Sequence, residues 1–69
     1  MNGVIGWSKD ENGIQSANVA GYELQVNIHR SGASWLVRDV KIYHGGEEPT
    51  EFLAKCRCEA WLRINGVIP

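Results

Sequence analysis

Residues 49–66, PTEFLAKCRCEAWLRING, carry the start and stop signals of a single helix, and that helix constrains everything upstream of it. Thr50 suits the N-cap, where a side-chain oxygen accepts from a backbone N–H of the first turn. Glu51 follows at the positive end of the helix dipole. At the far end Gly66 suits the left-handed position just past the helix, with Val67 folding back on Leu62. Ala54, Cys58, Trp61 and Leu62 share one side and suffice to cover a small sheet, with Leu53 at the margin. Glu51, Lys55, Glu59 and Arg63 recur every four residues and read as a solvated charged stripe.

The upstream chain supplies that sheet. In YELQVNIH, Tyr22, Leu24, Val26 and Ile28 alternate with Glu23, Gln25, Asn27 and His29, the period-2 pattern of a half-buried strand. RSGAS is a glycine-containing turn, and WLVRDVKIY follows it. There the apolar positions change parity: Trp35 and Val37 fall on one face, Val40 and Ile42 on the other. A continuous strand cannot do this, so a bulge or break is expected near Arg38-Asp39. Earlier, Gly3 to Ser8 reads as a strand, KDENG as a hairpin turn ending in Asn-Gly, and Ile14 to Val19 as a weaker returning strand. HGGEEP reads as the loop into the helix. The expected fold is α+β: one domain over residues 1–69, with a three- to four-stranded antiparallel sheet and the C-terminal helix packed on one face.

Cys56-Arg57-Cys58 is the chain's most conspicuous chemical pair. On a helix its two thiols point about 200° apart, so they cannot share a metal or bridge each other without breaking the helix. A zinc site would also need His29 and His44, at a spacing unlike standard zinc modules. Cys58 therefore reads as a small core residue and Cys56 as part of the opposite side. No metal or cofactor is expected. His29 and His44 read as surface groups. The sequence holds no Ser/His/Asp order, phosphate-binding loop or obvious carboxylate pair, and an enzyme is not expected.

What remains is surface. Phe52, Cys56, Ala60 and Ile64 form a second apolar strip beside the charged stripe. In so small a domain this suggests a site for a partner or a second copy, unless the N-terminal hairpin and the GVIP tail cover it. Asp10-Glu11 and Glu47-Glu48 are acidic loops that would form one patch if they shared a sheet edge. The residues expected to bind a partner are thus Phe52, Cys56, Ala60, Glu47, Glu48, Asp10 and Glu11. The alternative is a small nucleic-acid-binding or regulatory protein using Lys9, Arg30, Arg38 and Lys41. The net charge of −1 gives no global attraction to nucleic acid or membrane. No apolar run reaches the roughly 20 residues of a membrane span. The first residues lack a secretory signal, and two cysteines suit a reducing cytoplasm.

Strands followed by AKCRCEAWL resemble the double-stranded-RNA-binding domain in layout. That family places lysines at the start of its last helix to meet phosphates. Here the matching stretch, GGEEPTEF, is acidic, only Lys55 corresponds, and the family's first helix is missing. A broader likeness rests on Trp7, Gly21-Tyr22-Glu23-Leu24-Gln25-Val26, Trp35-Leu36-Val37, Gly45-Gly46, Thr50, Ala54-Lys55, Cys58-Glu59 and Trp61-Leu62. This order resembles small bacteriophage and prophage proteins, the class that includes some anti-CRISPR and other anti-defence inhibitors. The resemblance implies a non-catalytic cytoplasmic protein that occupies the surface of a bacterial host protein or ribonucleoprotein complex.

Overall fold

The structure, a computed structural model, describes residues 5–69. Its elements follow in chain order: β1 (Ser8–Lys9), β2 (Gln15–Val19), β3 (Tyr22–His29), β4 (Gly32–Arg38), β5 (Tyr43–Glu48) and α1 (Glu51–Ile64). The strands form one antiparallel sheet in the order β1-β2-β3-β4-β5, each paired with its neighbour in sequence. α1 packs on one face of this sheet, chiefly over β4 and β3. The α+β class stands, but the sheet has five strands rather than three or four.

Strand β3 runs from Tyr22 to His29, matching the alternating stretch. Register pairs Leu24 with Val37, Val26 with Trp35 and Ala17 with Leu24, so these side chains share the face beneath the helix. From the sheet, Ala17, Leu24, Val26, Ala33 and Val37 are buried; Ala54, Cys58 and Leu62 meet them from α1. Alanines and a cysteine at the contact let helix and sheet approach closely. Ile5, Trp7, Val19, Tyr22, Trp35, Trp61, Val67 and Ile68 close the margins. Of the expected first strand, Gly3 and Val4 lie outside the described residues, Ile5 to Trp7 are not strand, and β1 joins only its last residue, Ser8, to Lys9 of the expected turn.

The break after Arg38 is present. β4 ends there, and the Asp39 carboxylate accepts from the N–H groups of Lys41 (2.8 Å) and Ile42 (2.7 Å). Those two bonds hold the Asp39 carboxyl below its ordinary range. Val40, 98% exposed, is the tip of this turn, so the parity change in the sequence marks a reversal of the chain. What reads as a loop, HGGEEP, is mostly strand β5. Glycine is needed there: a Cβ on Gly45 would stand 2.4 Å from the Trp35 carbonyl oxygen, and one on Gly46 would press on the Trp35 indole at 3.1 Å. The glycines that suggest a loop are what lets β5 lie against β4.

The first hairpin turns through Glu11-Asn12-Gly13. Asp10 closes it, its carboxylate accepting from the N–H groups of Asn12 and Ile14, both at 2.9 Å. Only Gly13 of the Asn-Gly pair takes positive φ, +85°. The next turn is tighter. Val19 pairs with Tyr22 across Ala20-Gly21, with φ of +51° and +88°, the signs of a type I′ turn. A Cβ at that φ is costly, and asparagine tolerates it better. Ala20→Asn is expected to gain up to about 1 kcal/mol, or roughly 4–8 °C in melting temperature. Thermal unfolding checks this; a lower melting temperature would contradict the turn assignment.

Both helix caps form. Thr50 Oγ1 accepts from the Leu53 N–H at 3.1 Å. Past Asn65, Gly66 takes φ +75°, its N–H reaches the Arg63 carbonyl, and the Val67 N–H reaches the Leu62 carbonyl at 2.8 Å. These two bonds define a Schellman end, and Val67 packs back on the core.

Candidate functional site

The helix presents its core face and its free face with little overlap. Ala54, Cys58 and Leu62 are fully covered. On the far side Phe52 is 72% exposed, Leu53 41% and Ile64 83%; Cys56 is exposed and Ala60 half-buried between them. The N-terminal hairpin and the tail contribute Ile5, Trp7, Val67 and Ile68 to the core margins, yet leave Phe52 and Ile64 open. Periodicity brings Phe52, Cys56, Ala60 and Ile64 into one outward strip, and Leu53 broadens it.

The thiols divide as the 200° separation requires. Cys58 is buried, with its Sγ 3.8 Å from the Leu36 carbonyl oxygen, and desolvation pushes its pKa up to about 11. Cys56 is exposed. Among the described residues no three His, Cys, Asp or Glu side chains converge to hold a metal ion. His29 lies at the β3–β4 turn and His44 near the start of β5.

The charged stripe is less solvated than its spacing suggests. Glu51 pairs with Lys55 at 2.9 Å, and Glu59 pairs with Arg63. Glu51 also accepts from Gln15 Nε2 at 2.5 Å, which satisfies the one buried polar residue among those described. That bond, with help from Lys55, holds the Glu51 carboxyl below its ordinary range. Lys55 Nζ lies 5.4 Å from the centre of the Trp7 ring. Glu51 and Lys55 thus tie the start of the helix to Gln15 of β2 and to Trp7.

The acidic loops do not form one patch. Asp10 and Glu11 follow β1, whereas Glu47 and Glu48 end β5, and these are the opposite edges of the sheet. Four interstrand spacings separate them, about 19 Å. Glu48 is further occupied by Arg57 at 3.0 Å, which ties β5 to the helix. Only Glu48 thus meets the helix; Glu47 lies on the sheet face away from α1, and Asp10 and Glu11 lie at the other edge, Asp10 serving its own turn. The basic residues are dispersed as well. Lys9 and Arg30 lie at the end of the sheet where β1 and β3 finish, and Arg38 and Lys41 at the other. Arg38 is bound to Glu23 at 2.8 Å.

The sheet face away from α1 is polar. A concavity of about 410 Å³ on this face is lined by Gln25, Asn27, Ser34, Leu36, Tyr43 and Glu47. It sets the Glu47 carboxylate among amides, a hydroxyl and a phenol, with Ser34 directly opposite Glu47 in the register. At the opposite corner Trp61 packs edge-on to Tyr22 (5.5 Å) and near His44 (6.2 Å), which in turn lies 5.6 Å from Trp35. Sequence reading missed this row because His44 belongs to a strand it took for a loop. Comparison with family models, curated proteins and solved structures finds no match to this chain.

Proposed function

We propose that this chain is a non-catalytic binding module that acts by occupying a partner's surface with the outward strip of α1. One observation carries the reading. Phe52 and Ile64, large apolar side chains on one helix face, are 72% and 83% exposed although the domain has few such residues to spare. Leu53, Cys56 and Ala60 join them into a continuous ridge, flanked on the β5 side by the Arg57–Glu48 pair. An exposed aromatic anchor beside apolar neighbours and a charged pair is a common composition of a protein contact. The resemblance to small phage proteins suggests the partner class: a bacterial defence protein or ribonucleoprotein complex, with CRISPR effectors foremost.

The test is a panel of bacterial strains, each carrying one defence system, scored for phage plating with and without this chain. Protection is expected to fall in one strain and to be retained there with Phe52→Ala. That substitution should cost roughly 2 kcal/mol of binding, about 30-fold in affinity. It should change fold stability by less than about 0.5 kcal/mol, as exposed positions do. Uniform protection across the panel would overturn the defence assignment, and full activity of Phe52→Ala would overturn the helix strip.

A further inference from the structure

We infer that β5 is a self-association edge, at which a second copy of this chain adds its own β5 antiparallel to form one continuous sheet across a two-fold axis at Gly45. This edge is distinct from the helix strip, and the two sheet edges differ. β1 is two residues long, and its Lys9 shares the inward face with Gln15, both common ways of blunting an edge. β5 runs six residues, YHGGEE, with no proline, no lysine and no neighbour on its outer side among the described residues. Tyr43 is 76% exposed there.

The register follows from the ladder. The Asp39 N–H donates to the Ile42 carbonyl at 2.9 Å, and bonded pairs alternate along an antiparallel ladder. Val37–His44, Trp35–Gly46 and Ala33–Glu48 are then the bonded pairs, so Tyr43, Gly45 and Glu47 direct their N–H and C=O groups outward. A two-fold axis normal to the sheet requires residues of the same parity to face each other. With Gly45 on the axis, Tyr43 meets Glu47 of the second copy and Glu47 meets its Tyr43, each pair exchanging two backbone bonds. Moving the axis to Gly46 sets Tyr43 against Pro49, which has no N–H to give. Moving it to Glu47 sets two carboxylates face to face. The Gly45 register alone uses all the outward groups and opposes no like charges.

Side chains fit the same register. The Tyr43 phenol faces a carboxylate that has no ion-pair partner among the described residues. On the helix face, His44 of the second copy stands opposite Gly46, over which the Trp35 indole lies. Because Gly46 has no side chain, the imidazole of the second copy meets the half-buried indole across it.

Sedimentation equilibrium of the full chain tests this. The expected mass rises across the micromolar range toward twice 7.7 kDa. Glu47→Pro removes an outward N–H that the fold does not use, a place where edge strands accept proline. It should give a monomer with unchanged circular dichroism. The register has its own test in Tyr43→Cys with Glu47→Cys, made in a Cys56→Ser background. Facing Cα atoms of a bonded pair lie about 5.5 Å apart, within disulfide reach. Oxidation should yield a covalent dimer, whereas His44→Cys with Glu47→Cys, on opposite faces, should not. A monomer at every concentration would overturn the inference. So would a dimer that survives Glu47→Pro but is lost with Phe52→Ala, since that dimer would use the helix strip.

Discussion

Leu62→Ala is expected to cost about 3–5 kcal/mol, enough to leave a chain of this size largely unfolded at 37 °C. Leu62 is fully buried, and it belongs to the helix face that closes over Leu24, Val26 and Val37. Its removal opens a cavity between two layers that have no third layer to collapse from. Leu62 is also the residue whose carbonyl receives the Val67 N–H, so loss of its side chain loosens the packing of the Schellman end. Denaturant unfolding followed by tryptophan fluorescence measures the cost. Trp61→Ala should cost less than Leu62→Ala, because Trp61 is only half-buried and packs at the margin with Tyr22 and His44. A Leu62→Ala protein as stable as the parent would mean that α1 does not lie where it is described.

The second large effect is expected at Gly45. An added methyl would sit 2.4 Å from the Trp35 carbonyl oxygen, which is backbone and cannot turn aside. Either β5 separates from β4 or β4 bends, and overpacking of this kind costs about 1–3 kcal/mol. Gly46→Ala is the matched control. Its methyl meets the Trp35 indole at 3.1 Å, and a side chain can yield by a few tenths of an ångström. Thermal unfolding should therefore rank Gly45→Ala clearly below Gly46→Ala. Equal melting temperatures would show that HGGEE is a loop after all.

That comparison also marks where the sequence stops being readable. β3 was legible because burial on one face imposes strict alternation on Tyr22 to His29. The caps of α1 were legible because Thr50 and Gly66 act on backbone within four residues of themselves. The reversal after Arg38 was legible as a parity conflict. β5 was not, since glycines and glutamates are poor strand formers and its place depends on the carbonyl and indole of Trp35, ten residues earlier. Missing that strand had a consequence for the site. With five strands in sequential order, Asp10-Glu11 and Glu47-Glu48 occupy opposite edges, a separation that only topology determines. The charged stripe misled for a similar reason: spacing alone cannot reveal that Gln15 and Trp7 pack against Glu51 and Lys55. The apolar strip was legible because it depends on helical period alone.

The proposed capture of a partner by the outward face of α1, by occupancy and without turnover, can be read by calorimetric titration of the responding defence complex with purified chain. Binding heat is expected to saturate at a fixed ratio of chain to complex, with activity of the complex lost in step. Phe52→Ala should bind about 30-fold more weakly at an unchanged melting temperature. Inactivation of many complexes by one molecule, or wild-type affinity in folded Phe52→Ala, would contradict it.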